Sequence, residues 1–187
     1  YDSSGWTAIT TTSSTSDLDD TTTGVKTSIG TSATNIDTFT SSSYDSAFYL
    51  VVTRDEINEE TATDQISLVH NNTTAFVASG GGIRSADNDH LTYTADISSG
   101  TVRLRGTGSS DVNSIKFFRI AMGDDTSATS SGATAIVLNT DVDSAVENID
   151  TWAHASYRGA KYYISANNTG KTELQNIECS VVHNGTT

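Results

Sequence analysis

Proline is missing altogether from the 187 residues, where ordinary usage of about 5% would place roughly nine. Such a chain has no PxxP docking segment and no polyproline stalk. Cysteine occurs once, at Cys179, which excludes an intrachain disulfide and any multi-cysteine zinc ribbon or finger. Positive charge is scarce: 10 Lys and Arg stand against 23 Asp and Glu, a formal charge of −13. A nucleic-acid groove or an anionic membrane surface would meet net repulsion, so no nucleic acid and no membrane are expected as partners. No apolar run approaches the roughly 18 residues of a membrane-spanning helix. The opening Tyr1-Asp2-Ser3-Ser4 has neither the basic start nor the apolar stretch of a signal peptide, and the absence of an initiator Met points to a processed chain or an excerpt of a longer one.

What fills the gap is Ser and Thr, at 57 positions. Against that background one pattern stands out. Asn35-Ile36-Asp37-Thr38-Phe39 returns as Asn148-Ile149-Asp150-Thr151-Trp152, an offset of 148 − 35 = 113. At the same offset Ser43-Tyr44 meets Ser156-Tyr157, and Val69-His70-Asn71 meets Val182-His183-Asn184. Over residues 35–74 against 148–187, 15 of the 40 aligned positions are identical without a gap, whereas compositional bias alone would give about three or four. The expected organisation is a Ser/Thr-rich segment at 1–23, read as the closing strand of a preceding unit, a complete unit at 24–122, a linker at 123–132, and the first half of a second unit at 133–187. That second unit lacks counterparts of Ala75–Met122, so either the polypeptide continues or another chain supplies strands.

Within the complete unit the hydrophobic period is two. Tyr49 and Val51 alternate with Phe48, Leu50 and Val52, which reads as a strand buried on both faces. Ile66 and Leu68 alternate with Ser67 and Val69, and the break Asn71-Asn72-Thr73 leads into a hairpin partner at Thr74–Ala78. Leu91 to Ala95, Val102 to Arg105 and Ile115 to Ala121 continue the pattern, and Val25 to Ile29 opens it. Glu56 to Glu60 reads as a long loop with a helical turn as the alternative, and Gly80-Gly81-Gly82 as a flexible loop tip. About seven or eight strands in roughly 100 residues, with no amphipathic helix, give an all-β fold of tandem antiparallel β-sandwich units, jelly-roll or immunoglobulin-like. The inward side chains are expected to be Tyr49, Val51, Ile66, Leu68, Phe76, Tyr93, Val102, Leu104, Ile115 and Phe117.

Each chemical candidate has a plainer counterpart. His70 and His183 occupy equivalent positions with no H-x-x-x-H or C-x-x-C nearby, so they read as turn-shaping residues rather than metal ligands. Acidic clusters at Asp17/Asp19/Asp20, Asp87/Asp89 and Asp141/Asp143 lack the EF-hand series, which makes calcium the weaker alternative to ordinary acidic loops. The triple glycine lacks a phosphate-loop ending, and no G-x-S-x-G elbow is present. Sequons begin at Asn71, Asn72, Asn167 and Asn184, about the number chance supplies at this Asn, Ser and Thr content. Phe39, Tyr44, Trp152 and Tyr157 recur with the repeat and read as core or unit-to-unit contacts before sugar platforms. No catalytic, cofactor-binding or metal residue is assigned, and no enzymatic activity is expected.

The segments Ser156-Tyr157-Arg158-Gly159-Ala160-Lys161-Tyr162-Tyr163-Ile164, Val182-His183-Asn184-Gly185-Thr186-Thr187 and Thr94-Ala95-Asp96-Ile97-Ser98-Ser99-Gly100-Thr101-Val102-Arg103-Leu104 resemble the tandem repeat of long virion structural proteins from tailed phages of marine hosts, cyanophages among them. The resemblance covers roughly 24–122 and 133–187. The first unit departs from it, with Asp45 where Arg158 stands, Phe48 where Lys161 stands and Asn72 where Gly185 stands. The resemblance implies a fibre, tail or capsid-appendage component in an extracellular particle, self-associating and touching other virion proteins, with a host surface glycan as a further partner. The alternatives are an extracellular glycan-binding adhesive module and a surface-layer or filament subunit of a salt-adapted microbe.

Overall fold

A computed structural model describes residues 21–85, 89–123, 142, 145–153, 155–168 and 172–185. The first unit has eight strands: β1 (Thr21–Ile29), β2 (Thr34–Thr40), β3 (Ser46–Asp55), β4 (Glu60–His70), β5 (Ala75–Arg84), β6 (Leu91–Ser98), β7 (Thr101–Gly108) and β8 (Asn113–Met122). They form a five-stranded sheet in the order β1-β8-β3-β4-β5 and a three-stranded sheet in the order β2-β7-β6, antiparallel at every pairing. The unit is thus an all-β antiparallel sandwich. The first strand lies beside the last, a neighbour relation that the ABED/CFG immunoglobulin order does not contain. The described residues contain no helix long and apolar enough to cross a membrane.

The alternation seen in the sequence becomes two inner faces. Val102 and Leu104 of β7 and Ile115, Phe117 and Ala121 of β8 point inward and are buried, as are Tyr49, Val51, Ile66 and Leu68 from β3 and β4. Ile29, Ile36, Phe39, Ala47 and Leu91 complete the cluster, with Tyr93 packed against its edge. Gly24 of β1 pairs with Phe117 and faces its ring so closely that a Cβ would overlap it. The first unit also takes in Thr21–Thr23, since Thr21 pairs with Ile120; residues 1–20, 124–141 and the acidic pairs that fall among them lie outside the described residues.

Four expectations are corrected. Phe76 is 57% exposed, because Ala75 and Val77 are the β5 residues that face the core and the period of two turns Phe76 outward. β3 is buried on both faces only over Ser46–Tyr49; Leu50 and Val52 on its outer face are 46% and 47% exposed. Glu56 to Glu60 is no long loop: β3 and β4 pair as far as Asp55 against Glu60. The Asp55 carboxylate closes that turn, its Oδ1 accepting the Ile57 and Asn58 N–H groups and its Oδ2 the Asn58 amide. The triple glycine is not a loop tip but a bulge inside β5, where Gly81 and Gly82 oppose Asp64 alone. Gly81 has φ of 70°, and a Cβ on Gly82 would run into the Asp64 carboxylate and the Thr63 carbonyl, so side chains are excluded there for two separate reasons.

The β6–β7 hairpin turns on Ser99 and Gly100 alone, with φ of 50° and 75°, the geometry that a twisted two-residue hairpin requires. Downstream, β9 (Gly159–Asn167) and β10 (Leu174–Val182) form a two-stranded antiparallel sheet.

Leu104 has no solvent exposure, so Leu104→Ala is expected to lower unfolding stability by about 2–5 kcal/mol in urea titrations. Phe76→Ser, on the outer face, should change it by roughly 0.5 kcal/mol or less.

Candidate functional site

The groups whose arrangement recurs mark what this chain is built to hold. Gly159 pairs with Val182 as Ser46 pairs with Val69, and the register agrees pair by pair to Asn167 with Leu174 against Arg54 with Thr61, always at the offset of 113. The hydrogen bonds agree as well. His70 Nε2 donates to the Tyr44 carbonyl at 2.5 Å and His183 Nε2 to the Tyr157 carbonyl at 2.6 Å. Nδ1 of each ring accepts a backbone N–H two residues on, from Asn72 at 3.2 Å and Gly185 at 3.0 Å. With a carbonyl on one nitrogen and an N–H on the other, the partners assign the proton to Nε2. The backbone N–H of His70 also reaches Asp45, as that of His183 reaches Arg158. Each imidazole therefore fastens the end of a hairpin to the loop that leads into it.

A second recurrent bond joins Tyr49 to Asp37 at 3.1 Å and Tyr162 to Asp150 at 2.9 Å. In the first unit Arg119 completes the group: its Nη1 lies 2.7 Å from Asp37 Oδ2 and its guanidinium sits 5.4 Å from the Phe39 ring centroid. Burial, followed by the nearby Asp37 charge, holds the Tyr49 hydroxyl well above the usual phenol range. Tyr162 is pushed up to about 12 by burial and then by its bond to Asp150. Both phenols remain donors, which suits a structural bond and not proton transfer near neutrality.

The β9–β10 sheet packs on the outer face of the first unit. Phe48 meets Tyr163 with ring centroids 5.0 Å apart, Asn176 Nδ2 donates to the Leu68 carbonyl at 3.0 Å, and Asn167 Nδ2 to Asp45 Oδ2 at 3.2 Å. This explains why Phe48 is buried while Leu50 and Val52 on the same face are not. Tyr44 is tucked edge-on against Phe39 at 6.0 Å, and Trp152 lies 5.9 Å from Tyr162, whereas Tyr157 is 41% exposed.

Of the acidic clusters only Asp89 lies among the described residues, and it pairs with Arg84. Arg84 also approaches Asp64, whose carboxyl burial pushes up, and Asp64 accepts a 3.4 Å bond from Tyr93. On the three-stranded sheet Asp96 receives Arg103 at 2.6 and 2.7 Å and Arg105 at 3.3 Å; the Arg103 fork holds its carboxyl below the usual range. Asn71 Oδ1 caps its turn by accepting from Thr73 and Thr74.

One grouping escaped sequence reasoning. Asp55, Glu60 and His90 bring one ligand-type atom each within 4.8 Å of one another, with Asp55 and His90 buried. Burial pushes the Asp55 carboxyl up, but hydrogen bonds from Asn58, Ile57 and Ser110 outweigh it and hold the group below its usual value. His90 Nδ1 lies 3.6 Å from Glu60 Oε2. Asp55 and Glu60 flank one turn, but His90 stands 30 residues further on, just before β6, so no short spacing signals the group.

No family model and no curated protein matches the chain. Among solved structures it is similar to the tailspike protein of Acinetobacter phage vB_ApiP_P1, at 15% identity over 66% of this chain and 25% of that one, TM-score 0.34. It is also similar to the tailspike of Acinetobacter baumannii bacteriophage Fri1, a capsular polysaccharide depolymerase, at 13% identity over 57% of this chain and 18% of that one, TM-score 0.35. A third is the tailspike of Acinetobacter baumannii phage AM24, at 13% identity over 58% and 27%, TM-score 0.28. The chain spans about a quarter or less of the first two, and overlaps this loose establish neither its fold nor its activity.

His70→Ala removes the partner of one half-buried carbonyl and one N–H and leaves a cavity where a fully buried ring stood, so urea unfolding should show a loss of about 2–4 kcal/mol. Asp96 contributes stability that is full above its unfolded value of about 4 and is lost as pH falls through its lower folded value. Thermal melts between pH 6 and pH 3 should therefore fall less steeply for Asp96→Asn than for the parent.

Proposed function

We propose that the chain is a non-enzymatic structural component of a tailed-phage virion, a stretch of fibre, tail or capsid appendage assembled from tandem β-sandwich units. The observation that carries the reading is the duplication, at one constant offset, of strand register and of the histidine and tyrosine bonds. A unit repeated with its internal bonds intact is the construction principle of modular rods, in which each module contacts mainly its neighbours. The Phe48–Tyr163 seam supplies such a neighbour contact within the chain. What further supports the reading is the use made of the polar residues. Asp37, Asp55 and Asp96 each hold a turn, a tyrosine or an arginine, and the two paired histidines hold backbone. The sequence resemblance to virion repeats of marine tailed phages gives the particle, with self-association, other virion proteins and a host surface glycan as the contacts such an appendage would make.

The test uses tailed-phage particles purified from a phage whose genome encodes the chain. Its peptides should appear in the particle by mass spectrometry, and antibodies against it should decorate an appendage in electron micrographs. Particles free of the chain would overturn the reading, and release of reducing ends from capsular polysaccharide by the isolated chain would overturn its non-enzymatic part.

A further inference from the structure

The end of the sandwich where β3 turns into β4 holds groups that the architectural reading leaves unused. Asp55 is 1% exposed and His90 2% exposed, while Glu60 stands at the rim with its side chain 36% exposed. Two polar atoms buried in this part of the unit have no hydrogen-bond partner among the described residues: His90 Nε2 and Asn113 Oδ1. Asn113 stands opposite Asp55 in the β3–β8 register, and Ser109 N–H bonds to the His90 carbonyl at 2.9 Å, so the 108–113 loop closes over the same corner. His90 turns Nδ1 toward Glu60, so Nδ1 is the nitrogen that offers a lone pair here and the unpartnered Nε2 lies on the far side of the ring. A buried imidazole beside a buried carboxylate is costly in water-free surroundings unless a cation answers them.

We propose that Asp55, Glu60 and His90 form a divalent transition-metal site, of which Zn²⁺ is the representative ion. One imidazole nitrogen and two carboxylates are a donor set that suits zinc and its first-row neighbours. Calcium prefers six to eight oxygens and gains little from the imidazole. With metal–ligand bonds of about 2.0–2.2 Å, tetrahedral ligands stand roughly 3.3–3.6 Å apart. The His90–Glu60 separation of 3.6 Å already meets that spacing. The wider separations, up to 4.8 Å, close as the two carboxylates turn toward the ion, Glu60 at the rim having the most freedom to do so. Asp55 ligates through Oδ2, which accepts one bond from the Asn58 amide. The Ser110 hydroxyl that also leans on Asp55 is a rotor that turns aside. Water fills the coordination position on the Glu60 side.

The position gives the ion a purpose. Asp55 and Glu60 belong to the five-stranded sheet and His90 leads into β6 of the three-stranded sheet, so the bound ion clips the two layers together at one open end. A chain with a single cysteine has no disulfide for that task.

The whole chain, stripped with chelator and titrated with Zn²⁺, decides the matter. At a free ion concentration about a hundredfold above Kd the melting temperature should rise by on the order of 5 °C. Co²⁺ in place of Zn²⁺ should give visible ligand-field absorption. Glu60→Gln, a change at the rim that leaves the core intact, and His90→Gln should each abolish both signals, whereas His183→Gln should keep them. Absence of any shift, or a shift that survives in both Glu60→Gln and His90→Gln, overturns the site. So does stabilisation by Ca²⁺ alone. Loss of this site would leave membership of the virion untouched, since particle composition is read independently of metal binding.

Discussion

The register of β3 against its two neighbours governs the first unit. β3 lies between β4 and β8 in the middle of the five-stranded sheet, and a slip of one residue would send Tyr49 and Val51 to solvent and bring Leu50 and Val52 into the core. Apolar patterning alone resists that slip poorly, because both faces of β3 carry large apolar side chains. The register is pinned at its ends instead. At one end the Asp55 carboxylate gathers the N–H groups of a four-residue turn; at the other the His70 imidazole ties the strand terminus to the Tyr44 carbonyl. Between them Tyr49 reaches Asp37, and Asp37 holds Arg119 from β8, so the inner face of β3 is fixed to both sheets by directional bonds as well as by burial.

The same pins explain what the two copies keep and what they exchange. Histidine is kept at 70 and 183 because a ring with one donor and one acceptor meets a carbonyl and an N–H at once. Asn72 and Gly185 differ in type but share the left-handed backbone, with φ of 66° and 93°, a conformation that Asn tolerates and Gly adopts freely. Phe48 and Lys161 differ because their surroundings differ. Lys161 is exposed and answers Glu178 at 2.9 Å, whereas Phe48 lies under Tyr163, where an ammonium group would be stripped of water. The difference at that position goes with the neighbour that covers Phe48.

Much of the strand order along the chain was legible because alternation survives in Val102 to Arg105, Ile115 to Ala121 and Ile66 to Val69. The misreadings share a cause. Phe76 is as hydrophobic as Phe117, and the triple glycine is as permissive as any loop, so residue type does not tell which face or which partner awaits them. The bulge opposite Asp64 and the outward turn of Phe76 depend on how β5 sits along β4. Asp55, Glu60 and His90 were equally silent, since no periodicity links a turn between β3 and β4 to the residue before β6.

By itself the sequence determined the all-β class, the offset of 113 and the inward-facing alternation, because period-two patterning and duplicated letters are local properties that need no partner to be read. Tertiary structure alone decided that Phe48 is buried beneath the β9–β10 hairpin, that Asp37 meets Arg119 across 82 residues, and that two acids and a histidine converge at one end. Those are distances between remote chain segments, and they come into being only when sheets stack and hairpins close.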